Sequence, residues 1–376
     1  MTDERVERLH GLDHLRALAI LLVLLFHYEI YYGLPVSLAP SGLLALGRFG
    51  WTGVDLFFVL SGYLIGDKLM GDVDRFGQVR FGRFYLNRAL RILPAYLAAV
   101  TIYFSFAGLQ EGRGLQPLWR FLTFTQNLLI DVFTNTFSHA WSLCVEEHFY
   151  LLLPALLSLL VARKLQHRAV LFLLGLFAFG LAVRYLSWSE LVDPVAGRDR
   201  LRAAFTFLYY PTYARLDGLA VGVGIAALFR YRPAVRDRLA GHGNLLLLAG
   251  LAVLVGCYLL FGGNIVSMTF TTPAPPVFGF PLLALGYGLL VAGALCPGCL
   301  LYRLRCRPTA ALATLSYAVY LVHKMTNHWL NVNLRDYVEV GEDQLFLICL
   351  IAALLGGLAL HLVIERPFLL LRDRLR

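Results

Sequence analysis

Charged residues are scarce in this chain of 376 residues: Asp, Glu, Lys and Arg make up 15% of it, against 59% hydrophobic residues. A soluble domain carries about a quarter charged residues, so the composition excludes an ordinary soluble enzyme and points to an integral membrane protein. Lysine is almost absent beside arginine, a compositional bias to which no function is attached. Cysteines are few and scattered, at 144, 257, 296, 299, 306 and 349. Cys296-Pro-Gly-Cys299 with Cys306 has the spacing of a zinc or redox motif. It lacks a nearby fourth ligand, so these cysteines are taken as small apolar fillers and no metal site is expected. No nucleic-acid motif occurs; the net charge of +9 fits basic loops on one face of a membrane, and no nucleic-acid partner is expected. There is no long polar linker, no convincing internal repeat and no small-residue cleavage site after the first apolar run. The expectation is one integral-membrane domain over 1–376 with no appended soluble domain.

Apolar windows of about 20 residues mark spans near 15–34, 51–70, 90–108, 140–161, 169–188, 208–229, 244–261, 278–300, 309–331 and 344–365. The predicted fold is an all-α polytopic helix bundle of about ten transmembrane helices. Basic residues alternate between its loops. Twenty fall on one side, at Arg5, Arg8, Arg75, Arg80, Arg83, Arg88, Arg163, Lys164, Arg168, Arg230, Arg232, Arg236, Arg238, Arg303, Arg305, Arg307, Arg366, Arg372, Arg374 and Arg376. The other side holds seven: Arg48, Arg113, Arg120, Arg198, Arg200, Arg202 and Arg335. The positive-inside rule then puts both termini in the cytoplasm.

The stretch Leu12–Tyr28 holds two ionisable groups, Arg16 and His27, eleven residues apart. Eleven steps of a helix return to within about 20° of the same face after a rise of roughly 16 Å. Such a stripe, with a guanidinium at the membrane edge and an imidazole below it, lines a site more readily than it faces lipid. The bland reading, a snorkelling arginine and a hydrogen-bonded histidine, accounts for either residue alone. With the orientation above, Arg16, Arg88, Arg91 and Glu365 form a cytoplasmic layer. His27, Glu29, Asp55, Glu146, Glu147, Arg215, Asp217 and His323 form an outer one. Arg88 and Arg91, three apart on one helix face, suit phosphate oxygens. Ser61-Gly62 reads first as close helix packing, with Ser61 as nucleophile the lesser alternative. Of the adjacent Glu146 and Glu147, at least one is expected to pair with a base, His27 or Arg215. Arg215-Leu-Asp217 reads as a polar strut. His139, His148, His328 and His361 are taken as interfacial or isolated.

In order along the chain stand Arg16 with His27, Phe57-Phe-Val-Leu-Ser-Gly-Tyr-Leu-Ile65 and Arg88-x-x-Arg91. They are followed by Trp141-Ser-Leu-Cys-Val-Glu-Glu147 with Phe149-Tyr150, Arg215-Leu-Asp217, Ser316-Tyr-Ala-Val-Tyr-Leu-Val-His323 and Glu365-Arg-Pro-Phe368. Seven such elements over nearly the whole chain resemble the membrane-bound acyltransferase type 3 family. Two departures are visible: His148 stands where Gln is usual, and Lys324 follows His323 where an aromatic is common. The resemblance implies a multi-pass enzyme of the bacterial cytoplasmic (inner) membrane. It would take an acyl group, commonly acetyl, from cytoplasmic acyl-CoA and pass it to a hydroxyl, often of a saccharide or glycosylated acceptor at the outer face. No permanently bound cofactor is implied; acyl-CoA is a co-substrate.

Under that reading the donor phosphates rest on Arg16, Arg88 and Arg91. His27 serves as general base or accepts the acyl group covalently, with Glu146 and Glu147 as further catalytic candidates. Asp55, Ser61, Arg215, Asp217, His323 and Glu365 form an acceptor-binding or structural polar cluster. The competing class is a proton-coupled transporter or exporter of a small anionic or glycosylated compound, since buried relays serve pumps too. Transporters often show paired repeats with broken helices, and none is evident here.

Overall fold

The computed structural model describes residues 9–34, 41–131, 133–165, 169–263, 270–334 and 341–375. Arg5, Arg8, Arg168, Arg335 and Arg376 of the loop tally lie outside the described residues. Within them the chain is helical, with no β-strand beyond a lone bridge between Gly114 and Asn135. That is the expected outcome for a chain in hydrocarbon, where only a helix or a closed barrel satisfies every backbone group internally.

Long helices underlie all ten windows: α1 His10–Tyr32, α2 Gly53–Phe76, α3 Phe81–Ser105, α4 Trp141–Ala162 and α5 Ala169–Ser187, then α6 Asp217–Tyr231, α7 Gly243–Leu260, α8 Phe280–Ala294, α9 Arg307–Leu334 and α10 Glu342–Leu360. By length and composition, 7 helices among the described residues can cross a membrane, or up to 8 if α6 and the short helix Pro233–Ala240 make one span bent by 100°. Helices α3 and α9 are not among them, although they have 25 and 28 residues. Composition is what sets them apart, since they carry Arg88, Arg91, His323 and Lys324. The sixth window needs correcting at its start. Residues 208–216 are not a continuous α-helix, because Pro211 has no N–H to donate. A short turn, Thr212–Ala214, precedes α6, which begins only at Asp217.

Helix α1 sits at the centre, packed against α2 and α9, while α2 pairs with α6, α7 with α8 and α9 with α10. The α2–α6 crossing depends on Gly62 and Gly222: a Cβ on either would collide with the partner's backbone, at Leu219 and Val59 respectively. Small residues allow this close approach, which dispersion rewards where lipid offers no hydrophobic drive. On α7 the side chains spaced three or four apart point away from the bundle. Leu248 and Leu259 are 64% and 71% exposed, a pattern that suits acyl chains and not water. The polar residues lie on the opposite side, around α1.

Candidate active site

Two cavities open along α1 at different depths. The inner one, about 380 Å³, is lined by Arg16 of α1, Ser61 of α2, Arg88 and Arg91 of α3, and Glu146 and Tyr150 of α4. Lys68 and Arg372, which the sequence did not single out, also line it. Among the described residues no carboxylate lies within ion-pair distance of Arg16, Arg88 or Arg91. The Arg88 guanidinium lies 3.9 Å from the centre of the Tyr150 ring, and its Nε has no hydrogen-bond partner among the described residues. Tyr150 donates to Glu146 Oε2 at 2.6 Å and is also hydrogen-bonded to Ser61. Three converging guanidiniums with no carboxylate at ion-pair distance among the described residues can receive an anion with several oxygens.

The outer cavity, about 230 Å³, is walled by His27, His139 and aromatic rings, among them Trp51, Trp141, Tyr209 and Tyr210. The three imidazoles of His27, His139 and His323 cluster here. His27 and His323 have ring centroids 4.8 Å apart, and His139 lies 6.1 Å from His27 and 4.9 Å from His323. The hydrogen-bond network assigns their tautomers. His323 Nδ1 is 2.8 Å from the Tyr320 carbonyl and must donate to it, which leaves His323 Nε2 as an acceptor. That atom is 3.1 Å from His27 Nδ1, which also lies 3.0 Å from the Val23 carbonyl. The His27 proton therefore sits on Nδ1, shared between the two acceptors. His27 Nε2 is left with a lone pair and no hydrogen-bond partner among the described residues. This is the arrangement of a base or nucleophile oriented by a second imidazole.

His139, taken as isolated from the sequence, is buried in this cluster, and neither ring nitrogen has a hydrogen-bond partner among the described residues. Next to the cluster, Lys324 pairs with Glu111 at 2.9 Å and donates to Ser138 Oγ at 3.1 Å. Glu111, in the loop after α3, also accepts from the Phe137 N–H. Burial alone would raise its carboxyl pKa, but the Lys324 ammonium holds it below the ordinary value. His27, Glu111 and Lys324 together border a third cavity of only about 10 Å³.

The expected outer layer thus divides. Glu146 belongs with the arginines of the inner cavity, and its partners are Tyr150 and Ser61 in place of the expected His27 or Arg215. The cause is the rotation of α4, which turns Glu146 toward α2 and α3. Glu147 borders neither of the two larger cavities. Arg215 and Asp217 are struts to two different helices. Arg215 Nη2 meets Asp55 Oδ1 of α2 at 2.7 Å, and Arg184 of α5 forks onto Asp217 at 2.6 and 3.2 Å. Removing one member of such a buried pair costs about 3–5 kcal/mol. Arg184 escaped the sequence reading, although a lone arginine in an apolar window is itself a sign of a partner. Glu365 accepts from or shares a proton with His361 Nδ1 at 2.8 Å, so His361 is not isolated. Glu29 holds Arg48 at 2.9 Å near the end of α1, outside both larger cavities.

A family profile described as an acyltransferase domain matches residues 9–365. The O-acetyltransferase OatA of Staphylococcus aureus strain NCTC 8325 / PS 47 is 24% identical over 334 residues, which cover 84% of this chain and 50% of OatA. OatA of strain COL gives the same figures. The chain spans about half the length of these curated relatives. No solved structure matches it. The profile runs from before Arg16 to Glu365 and so takes in the named lining of both cavities apart from Arg372, and the chain belongs to this acyltransferase family.

Proposed function

We propose that this protein is a membrane O-acyltransferase that carries an acyl group, acetyl in the first instance, from cytoplasmic acyl-CoA to a hydroxyl of a saccharide or glycosylated acceptor on the outer face. The observation that carries the reading is the pair of cavities on one helix. A cationic one lies about 16 Å along α1, eleven residues of helical rise, from one that holds an imidazole with a free nitrogen. In this reading the nucleotide phosphates bind Arg16, Arg88 and Arg91, and the pantetheine arm reaches toward His27. His27 Nε2 takes the proton of the acceptor hydroxyl as its oxygen attacks the thioester carbonyl. The C–S bond breaks, the thiolate leaves, and the imidazolium returns the proton to sulfur, so the products are the ester and free CoA thiol. A covalent acyl-imidazole on the same nitrogen gives these products in two transfers.

The topology that serves this chemistry has ten spans and both termini in the cytoplasm of the inner membrane, in one domain. The ten long helices and the twenty-to-seven basic asymmetry support it. The names of the relatives, O-acetyltransferases, support oxygen as the acceptor atom. The test compares cells with and without the gene by mass spectrometry of envelope glycans and secreted metabolites. The expected result is an acyl ester that disappears with the gene and carries label from acyl-labelled CoA added to membranes. An unchanged ester profile together with no label transfer would overturn the proposal.

A further inference from the structure

Of the three clustered imidazoles, only that of His139 makes no hydrogen bond through its ring among the described residues. Hydrogen bonds commit the groups around it. His323 donates through Nδ1 to the Tyr320 carbonyl and accepts through Nε2. Lys324 is engaged by Glu111 and Ser138, and the Tyr320 hydroxyl donates to the His139 carbonyl at 2.6 Å. His139 is 2% exposed and lines the same cavity as His27. A neutral imidazole always carries one N–H, and burying it with nothing to bond is costly. The ring is nonetheless held in place, meeting Phe137, Tyr320 and His323 edge-on at centroid distances of 5.0, 5.4 and 4.9 Å. Two residues earlier, Phe137 has a φ of 56°, which is rare for a bulky side chain. Such strain persists only where the surroundings over-determine the backbone. Trp51 Nε1 is a second unpartnered donor in the lining, but the Trp51 ring packs against Phe49, Tyr209, Phe261 and Phe280 and not against the histidines.

We infer that His139 is a second catalytic residue of the outer cavity, its N–H receiving the carbonyl oxygen of the acyl group while His27 Nε2 takes the proton of the attacking hydroxyl. The inference rests on the donor reading above. When the acceptor oxygen bonds to the thioester carbon, the carbonyl π pair moves onto oxygen. The charge formed there is stabilised by a donor already in place. A donor bound to another group would first have to give that partner up, and His139 has none to give up. On collapse the pair re-forms the C=O bond, the C–S bond breaks, and the His27 imidazolium returns its proton to sulfur. His139 keeps its own proton throughout. The same donor serves the acyl-imidazole route, since attack by the His27 nitrogen puts the charge on the same oxygen. The ring centroids of His139 and His27 are 6.1 Å apart. Hydrogen bonds of about 2.8 Å from the two rings to neighbouring oxygens of one tetrahedral carbon fit a separation of that size.

The experiment uses full-length protein in membranes, with acetyl-labelled acetyl-CoA as donor and the acceptors native to those membranes. It reads labelled ester, released CoA thiol, CoA binding and Tm in detergent. His139→Leu removes the N–H and with it an unmade buried hydrogen bond. Its kcat is expected to fall about 10²- to 10³-fold, with donor KM and CoA binding unchanged and Tm equal to or above wild type. His139→Gln restores an N–H donor but no base, and should recover about tenfold over His139→Leu. His27→Gln should show no such recovery over His27→Ala. His139→Phe keeps a flat ring without the N–H, and decides the matter if His139→Leu does not accumulate. An unaltered kcat in His139→Leu or His139→Phe would overturn the inference and leave the donor reading standing. So would equal losses in His139→Leu and His139→Gln, or a loss explained by weaker CoA binding, because the side chain would then not act as a donor to the reacting oxygen. A wild type that yields neither labelled ester nor CoA thiol would overturn the donor reading itself, and the inference with it.

Discussion

The inner cavity is walled by Arg16, Arg88 and Arg91, which no described carboxylate reaches within ion-pair distance, whereas beside the outer cavity the Lys324 ammonium is paired with Glu111. Aromatic rings are few in the inner wall and numerous in the outer, where they surround imidazoles in place of permanent charges. The difference matches two tasks. Holding a polyanion needs positive charge left unspent, because an arginine already engaged by a carboxylate gains little from a phosphate. Moving a proton needs a group that can both take and give one, in surroundings that do not commit it to either state. Helix α1 serves both ends, with Arg16 in one cavity and His27 in the other.

The sharpest way to break this division is His27→Gln. The amide keeps hydrogen-bonding capacity but cannot act as a base, so transfer should fall about 10²- to 10⁴-fold, while CoA binding to the inner cavity persists. Acyl transfer and CoA binding measured on the same membranes check it; an active His27→Gln protein would remove His27 from the chemistry. Arg88→Ala and Arg91→Ala probe the other cavity. Each should weaken CoA binding roughly ten- to a hundredfold, the cost of about 1.5–3 kcal/mol for a charge-assisted hydrogen bond. The loss should appear in KM for the donor, with kcat largely retained at saturation. If kcat fell instead while binding held, the arginines would belong to the chemistry and the division would be wrong.

The smallest expected effect concerns Glu111 and is read in stability. Its carboxyl is held below the ordinary value in the folded protein. The resulting stabilisation is fully present above the unfolded pKa of about 4.3 and is lost as pH falls through the lower folded value. Thermal unfolding in detergent should therefore show Tm declining below about pH 4. Glu111→Gln should lower Tm at neutral pH, by about 1–3 kcal/mol of stability, and flatten that acidic decline. A mutant with the wild-type acidic limb would show that other carboxylates govern it.

Arg16 with His27, and Arg88 with Arg91, were legible in the sequence because each pair lies on one unbroken helix, where spacing alone sets the shared face. Glu146 was legible as an intramembrane carboxylate, yet its partners were misassigned. Tyr150 stands four residues on along the same helix, a contact that spacing alone allows, but that helix says nothing of how α4 is rotated against α2, which turns Glu146 to Ser61. His139 was passed over for a related reason. Its ring contacts include Tyr320 and His323, which are far away in sequence. Pro211 did carry a readable signal, since a residue without an N–H marks the break before α6.

By itself the sequence determined the all-helical character, the membrane setting, the sites of its long helices and two of the charged stripes. All of these depend on hydropathy and period within a single segment. The tertiary structure decided that Arg16 and His27 border two separate cavities, that Arg215 and Asp217 serve as struts to Asp55 and Arg184, and that Val54 and Tyr320 line both cavities. Those outcomes depend on how helices rotate and cross. That is settled by close contacts between backbones, such as Gly62 against Leu219, and by the need of each buried charge to find its opposite on another helix.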